Sequence, residues 1–214
     1  MGRREANKQK KRSDLLSAGQ TAFLEQGYHG TSVEQIAASA GVARGTFYLY
    51  FDGKEALFES VVDGFFVPLM QVFDQVEAAL ATALSPAECL AVYQQMGVSI
   101  AVVGLSQKDT VLLIFREMRS PNVPALRARE LRLVQRITAL TQLAMDRRLV
   151  RQGDPRLSSL IILGGIERLY FEVLAGDMDF ADPRDVASEA SVLLSRVLGL
   201  DLDALSTAQD RTRD

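Results

Sequence analysis

The chain has 214 residues, of which 48% are hydrophobic and 24% are charged, so it can bury a sizeable core. Its single cysteine, Cys89, excludes an internal disulfide framework. No apolar run reaches the roughly 18 residues of a membrane-spanning helix, and the polar first dozen residues do not resemble a secretory signal. These features predict a cytoplasmic protein that has no membrane partner.

The net charge of −3 is distributed unevenly along the chain. Residues 1–54 contain eight Lys/Arg and five Asp/Glu, whereas the remainder contains 16 basic and 22 acidic residues. A basic N-terminal part joined to an acidic body favours a polyanionic partner for the basic part. The alternative is a tail that only confers solubility. Six basic residues lie within the first twelve: Arg3, Arg4, Lys8, Lys10, Lys11 and Arg12.

Apolar residues recur every three or four positions through most of the chain, which predicts an all-α protein of about nine helices. Glycines and a capping pattern delimit the first three helices. Gly27 and Gly41 can adopt the positive φ that ends a helix tightly. Thr31 and Ser32 each precede an acidic or amide side chain by three residues, which is typical of a helix start. These helices are expected over about 8–26, 33–40 and 44–51.

Six longer helices are predicted for the rest of the chain. The first begins near Lys54, and Pro68 should kink it rather than end it, because the apolar pattern continues beyond the proline. Ser-Pro and Asp-Pro pairs and single glycines delimit the others. These are expected over about 86–104, 107–119, 122–151, 155–175 and 183–198.

The segment 32–51 has the properties of a helix-turn-helix, two short helices joined by a turn that contains glycine. Small side chains in the first helix permit a close crossing. The second helix would then lie in the major groove of DNA with its N-terminal end at the bases. Phe47 and Phe51 are expected to anchor this helix in its own core.

Polar side chains around this second helix suit contact with DNA. Arg44 can bind phosphates or the edge of a guanine, and Thr46 can contact a base or a thymine methyl group. Thr31 and Ser32, at the start of a helix, form a natural phosphate seat. Leu49 either contacts a base methyl group or packs against the protein.

Glycines, capping residues and aromatic residues follow one another in a specific order across about residues 8–65, above all in 23–37 and 40–51. In this order the chain resembles the TetR family of bacterial repressors. The resemblance implies an all-α homodimer whose N-terminal domain reads a palindromic operator. Ala43 and Leu49 depart from the family pattern, which commonly has Ser and a His or aromatic residue there. The resemblance places the following residues at DNA: Thr31 or Ser32, Arg44, Gly45, Thr46, Tyr48, Leu49, Tyr50 and Lys54.

The predicted division of the chain follows from this likeness. Residues 1–53 would form a basic arm plus the DNA-binding domain, residues 54–205 an effector-binding and dimerisation domain, and residues 206–214 a frayed tail. The arm, residues 3–12, would follow the DNA backbone or enter the adjacent minor groove. The helix that begins near Lys54 is hypothesised to swing like a pendulum when an effector binds, which would change the spacing of two DNA-binding heads.

Beyond residue 65 the predictions rest on composition. Methionine and aromatic side chains favour an apolar, flat or flexible effector, although the same side chains can equally form plain core. The candidate pocket residues are Tyr93, Met96, Phe115, Met118, Tyr170 and Phe171. The last two helices carry apolar faces, and in the resembled family such helices from two subunits form a four-helix bundle. The candidate dimer contacts are Leu160, Leu163, Gly164, Val186, Leu193 and Val197.

A helical enzyme is one alternative, but no catalytic residue, metal site or cofactor is predicted. His29 is the only histidine, and no metal-ligand spacing or phosphate-binding glycine loop is present in the sequence. Two further alternatives keep the fold: an activator instead of a repressor, and an adaptor that has lost DNA binding. The sequence favours a repressor that releases its operator when a small effector binds.

Overall fold

The computed structural model describes residues 2–118, 123–176 and 183–200. Within these ranges the chain forms nine α-helices, which confirms the predicted all-α class. The helices are α1 (Arg3–Gly30), α2 (Val33–Ser39), α3 (Arg44–Phe47), α4 (Lys54–Thr82), α5 (Pro86–Ser106), α6 (Lys108–Met118), α7 (Pro124–Asp146), α8 (Pro155–Ala175) and α9 (Pro183–Leu198).

The predicted signals at the N-terminal helices are confirmed. Gly27 interrupts α1 with a φ of 77°, and Gly41 adopts a φ of 66° in the turn after α2. The capping box of α2 is complete, because the Ser32 hydroxyl accepts from the Gln35 amide and the Gln35 side chain accepts from the Ser32 amide. Two lengths differ from expectation. α1 begins at Arg3 and so includes the whole basic arm, and α3 ends at Phe47 in a turn.

The later helices also start and end close to the predicted positions, except that α7 ends at Asp146 and not near Arg151. α4 continues through Pro68, as expected. Asp154 caps α8, where its side chain accepts from two backbone amides, and Gly176 ends the same helix with a φ of 88°. The predicted boundary signals Ser120-Pro121 and Asp182, and the predicted tail 206–214, lie outside the described residues.

The chain divides into two compact units. The first unit combines Met1–Val67 with Gln107–Ala128, and the second combines Pro68–Ser106 with Arg129–Asp214. Helix α4 therefore contributes to both units, and α6 belongs to the first. These units are defined by packing, whereas the division predicted between residues 53 and 54 is one of function, and it stays a prediction.

Aromatic side chains form the core of the first unit. Phe23, Phe47 and Phe58 are fully buried, and the rings of Phe23 and Phe58 meet edge to face at 5.2 Å. Burial of each such ring contributes about 1.5–3 kcal/mol. Gly19 lets α1 approach α4 closely, because a Cβ atom there would collide with the Leu57 side chain. This core fixes the position from which α2 and α3 project.

In the second unit, α9 packs against both α5 and α8. Gly165 permits the close approach of α8 and α9, since a Cβ atom there would collide with the Leu193 side chain. Buried hydroxyls of Thr141 and Ser159 share a hydrogen bond of 3.2 Å that joins α7 to α8. Helices α5, α8 and α9 line the cavity described below.

Among the described residues, α4 and α5 are long and apolar enough to cross a membrane by length and composition alone. Of their most apolar 18-residue stretches, 44% and 33% of the residues are buried inside the protein. Core helices of water-soluble proteins share this character, so the two helices do not identify a membrane protein.

Candidate functional site

The segment 44–51, which contains α3 and the turn after it, has one side inside the protein and the other at the surface. Phe47 has no exposed surface, and its ring lies 5.8 Å from that of Phe51, which is also buried. The next two residues point outward, since Tyr48 is 45% exposed and Leu49 is 77% exposed. A helix that is anchored on one side and open on the other can enter a major groove.

Arg44 provides a charged group at the start of this surface. Its Nη1 atom lies 3.0 Å from Glu34 Oε1, and its guanidinium lies 5.9 Å from the centre of the Tyr48 ring. The hydrogen bond with Tyr48, aided by the charge of Glu34, raises the pKa of Arg44 above its ordinary value. Arg44 and Glu34 are both largely exposed, so their pairing is weak and a phosphate or guanine can replace it.

The remaining predicted contacts on this segment are exposed to different degrees. Gly45 is exposed, and no atom lies within 4 Å of the position that a Cβ atom would take. Thr46 and Tyr50 are half-buried. The exposure of Leu49 contradicts the alternative in which this side chain packs against the protein.

Thr31 and Lys54 bind backbone groups inside the domain. Thr31 is 3% exposed, and its one hydroxyl hydrogen is shared between the carbonyl oxygens of Ala22 at 3.0 Å and Gly27 at 2.8 Å. The Lys54 ammonium donates to the carbonyl oxygens of Tyr28 and Thr31, at 2.7 and 2.8 Å. Partial burial lowers the pKa of Lys54. Both side chains therefore hold the connection from α1 to α2.

Ser32 is the member of the predicted phosphate seat that reaches the surface. Its side chain is half-buried, and its hydroxyl accepts from the Gln35 amide at 3.2 Å. The hydroxyl hydrogen of Ser32 is left available as a donor to a bound anion. The geometry thus separates Ser32 from Thr31, which the sequence pattern treated alike.

A pair of charged residues at the end of α6 fastens the end of α1, a contact that sequence reasoning did not find. The Arg116 guanidinium donates to the carbonyl oxygens of Phe23 and, at 2.6 Å, Leu24. Glu117, which is 5% exposed, accepts from the Tyr28 amide at 3.3 Å and pairs with Arg116 at 3.2 Å. Arg116 thereby binds two carbonyls that lie just before the break in α1 at Gly27.

The family model for bacterial regulatory proteins of the tetR family matches residues 15–61. This range contains the buried anchors, the capping box and the exposed face of α3. The chain belongs to the TetR family. It is a DNA-binding transcriptional regulator with an N-terminal helix-turn-helix.

Relatives of this TetR-family regulator support the assignment along most of the chain. The transcriptional regulator UidR of Escherichia coli K12 is 28% identical over 184 residues, which cover 84% of this chain and 86% of UidR. The repressor DhaR of Mycobacterium sp. strain GP1 is 42% identical over 60 residues, or 28% of this chain and 30% of DhaR. Each is named as a helix-turn-helix regulator of transcription.

The fold of this TetR-family chain also matches solved structures. FadR from Bacillus subtilis, solved in complex with stearoyl-CoA, superposes with a TM-score of 0.65 at 21% sequence identity. The match covers 88% of this chain and 98% of the FadR chain. At this identity the likeness establishes the shared fold alone.

Three of the six predicted pocket residues line one cavity in the second unit of this TetR-family chain. Tyr93 and Met96 from α5 and Tyr170 from α8 face it, together with residues of α9. Burial raises the pKa of both tyrosines, so their phenol groups stay neutral. The space accommodates about one water molecule, so a larger ligand requires the three helices to separate.

The other three predicted pocket residues lie elsewhere. Phe115 and Met118 belong to α6, which is part of the first unit. The ring of Phe171 lies 5.5 Å from the Arg168 guanidinium and does not line the cavity. The sequence pattern could not distinguish these residues from the cavity lining, because α4, α5, α6 and α8 all carry aromatic residues within apolar stretches.

The candidate dimer residues of this TetR-family regulator divide between surface and interior. Leu160 is 47% exposed, and Gly164 faces open space. Leu163, Leu193 and Val197 are half-buried. Val186 is 2% exposed and packs inside its own chain. Leu157 and Ile161, at 59% and 50% exposure, extend the surface formed by Leu160 and Gly164.

Proposed function

We propose that this regulator is a repressor that binds a palindromic operator as a homodimer and releases it when a small apolar or aromatic effector binds. The observation that carries the DNA-binding part is the orientation of α3. Phe47 holds the helix from inside while Tyr48 and Leu49 stand outside. An adaptor without DNA binding would have no use for Arg44 and Tyr48 at this exposed surface.

The proposed DNA contacts are divided by their exposure. Arg44, Gly45 and Leu49 face outward and would meet bases or phosphates, and Thr46, Tyr48, Tyr50 and Ser32 would add hydrogen bonds. Thr31 and Lys54 would act on DNA only through the backbone that they hold.

Selection from a pool of DNA duplexes tests this part. The full-length protein should enrich an inverted repeat whose half-site centres lie about 34 Å apart, or one helical turn. Two chains per duplex should be found by sedimentation. Enrichment of a single unrepeated site, or no enrichment, would refute the proposed dimeric reading of DNA.

The proposed dimer surface is an apolar stripe on α8. Leu157, Leu160, Ile161 and Gly164 have the spacing of one helix face, and all four are exposed. Exposed apolar stripes of this kind are typical of protein interfaces. Replacing Leu160 and Ile161 by glutamate should yield a folded monomer in sedimentation, whereas a dimer of unchanged affinity would exclude this surface.

The proposed effector site is the cavity between α5, α8 and α9. Met96 and apolar neighbours suit an apolar ligand, and the neutral phenols of Tyr93 and Tyr170 offer hydrogen bonds. The stearoyl-CoA of the FadR structure supports an apolar ligand class for this fold. Because the cavity is nearly filled, binding would favour a state in which these helices are further apart.

Release of DNA tests the effector part of the proposal. Acyl-CoA thioesters and planar aromatic compounds would be added to the complex with the selected duplex, and fluorescence anisotropy would report dissociation. An active compound should lose its effect when Ala190 in the cavity wall is replaced by leucine. An activator would instead keep or strengthen its hold on DNA. We expect no catalytic turnover of any compound.

We retain the hypothesis that α4 transmits the effect of the ligand to the DNA-binding head. α4 is one helix that contributes to both units, and Lys54 at its first residue holds the connection between α1 and α2. The population shift can be no larger than the difference in effector affinity between the two states. Equal spacing of the two heads in DNA-bound and effector-bound crystals would contradict the hypothesis.

A further inference from the structure

The basic N-terminal residues occupy fixed positions on a helix. α1 is helical from Arg3, so its side chains repeat with a period of 3.6 residues. Arg4, Lys8, Lys11 and Arg12 then share one face, which further along becomes the buried face of α1. Arg3 and Lys10 lie on the other side of the helix, although they belong to the same charge cluster.

Arg12 ties this basic face to the DNA-binding segment. Its guanidinium lies 5.1 Å from the centre of the Phe51 ring, and its Nη2 atom donates to the Ser60 hydroxyl at 3.4 Å. Phe51 follows directly after Tyr50, the last of the predicted contacts on the segment. The basic face therefore leaves the domain beside the end of the DNA-reading surface.

The dimensions of the helix determine which part of DNA this face can meet. Eight residues separate Arg4 from Arg12, which at 1.5 Å per residue is about 12 Å. A helix of about 10–12 Å diameter cannot enter a minor groove about 6 Å wide. The phosphate backbone, in contrast, can follow a straight row of cations.

We propose that Arg4, Lys8 and Lys11 form a phosphate-binding ridge that lies along the DNA backbone next to the site read by α3. This ridge rests on the proposed DNA binding and adds a contact surface to it. It contributes affinity without sequence preference, because phosphates carry no base information. Arg12 is a positioning residue, since its side chain holds the ridge against Phe51 and Ser60.

An acidic lipid surface is the other polyanion that a basic helix can meet. Membrane-surface helices carry large apolar side chains opposite their basic residues. Residues 3–12 contain no apolar side chain larger than that of Ala6. The chemistry of the ridge therefore favours nucleic acid over lipid.

Two double variants of the full-length protein test the ridge, and each removes two positive charges from the same helix. Lys8→Gln with Lys11→Gln removes charges on the ridge, and Arg3→Gln with Lys10→Gln removes charges on the other side. The probe is a fluorescent 30-base-pair duplex of random sequence, titrated from 50 to 300 mM KCl. Thermal unfolding shows whether each variant keeps its fold.

The ridge predicts different salt dependences for the two variants. The logarithm of the association constant falls with the logarithm of the salt concentration, and each lost phosphate contact makes this slope shallower by about 0.9. The slope of the ridge variant should therefore be shallower by about 1.8, and that of the control should hardly change. Affinity at 150 mM KCl should fall about tenfold in the ridge variant alone, in keeping with this counterion effect. Preference for a selected operator over random duplex should be unchanged.

Three results would overturn the ridge. Equal losses of duplex affinity in both variants would mean that only the total charge of the helix matters. Equal salt slopes in the wild type and both variants would place residues 3–12 away from DNA. If the ridge variant lost binding to phosphatidylserine vesicles while its duplex affinity stayed unchanged, the ridge would be a lipid-binding surface. In each case a wild-type protein that still binds duplex leaves the proposed function intact, whereas a wild type that binds no duplex refutes both proposals.

Discussion

The DNA-reading segment and the C-terminal cavity present their functional side chains in opposite ways. At the reading segment, Arg44, Tyr48 and Leu49 are exposed, and the residues that hold them are hidden beneath. At the cavity, Tyr93 and Tyr170 are themselves buried, and the space between them accommodates about one water molecule. The reading segment can therefore bind DNA as it stands, whereas the helices around the cavity must separate before a ligand can bind.

This difference assigns different energetic roles to the two regions. A preformed surface binds its partner at a smaller cost of ordering. A closed cavity gains from its ligand only what remains after the packed helices have separated, so ligand binding and conformational change are coupled there. The proposed mechanism needs both properties, because in it DNA binding is the default and its loss depends on the ligand.

The largest effect is expected from a bulky charge on the open surface of α3. Gly45→Glu should lower duplex affinity by 100-fold or more, on the order of 3 kcal/mol, because a carboxylate would face the phosphates. The melting temperature should stay unchanged, since space is free at this position. Gly45→Ala is the control and should bind within a few-fold of wild type. A large drop in melting temperature for the glutamate variant would mean that α3 is not an open surface.

The closed state of the cavity predicts an inert thiol beside it. Cys89 is fully buried next to Tyr93, and burial raises its pKa to about 11. A rise in the pKa from the ordinary value of 9.0 to about 11 lowers the thiolate fraction at neutral pH about 100-fold. Labelling with a maleimide should therefore be at least 100-fold slower in the native protein than in urea. Rapid native labelling would show that the α5 wall is already open.

A third prediction concerns the buried frame of the reading segment. Lys54→Met removes the ammonium from the carbonyl oxygens of Tyr28 and Thr31, which should lower the free energy of unfolding by about 1–3 kcal/mol. Urea denaturation measures this loss. Glu55→Gln, at the exposed neighbouring position, should change stability by less than about 0.5 kcal/mol. Equal stability of the two variants would mean that the Lys54 hydrogen bonds do not stabilise the domain.

The smallest effect is expected at the ion pair on the open surface. Glu34 lies 3.0 Å from Arg44 and competes with DNA for its guanidinium. Glu34→Gln should raise duplex affinity a few-fold at low salt and less at high salt, because exposed pairs are weak and screened. Anisotropy titrations at two salt concentrations measure this change. A decrease in affinity would mean that the pair orients Arg44 for DNA.

Signals within a few residues of one another predicted most of the reading segment. Gly27, Gly41 and the Ser32 cap act on their own backbone, so their types and spacing are informative. The roles of Thr31 and Lys54 could not be predicted in the same way. Their partners are backbone carbonyls, which are the same for every residue type.

Sequence reasoning had less success in the C-terminal half, for a physical reason. Tyr93 and Phe115 look alike in sequence, yet one lines the cavity and the other lies on α6 in the first unit. Gly164 and Gly165 are adjacent, but Gly165 faces α9 and Gly164 faces open space. Such differences depend on contacts between distant helices, and helical periodicity alone does not specify them.

We conclude that α3 and the turn after it present Arg44 and Tyr48 to DNA. The most direct measurement is the affinity of the double variant Arg44→Ala with Tyr48→Ala for a duplex selected by the wild-type protein, together with its melting temperature. Affinity should fall about 100-fold or more with no change in melting temperature, since each base contact contributes about 1–3 kcal/mol. Wild-type affinity in a folded double variant would contradict it.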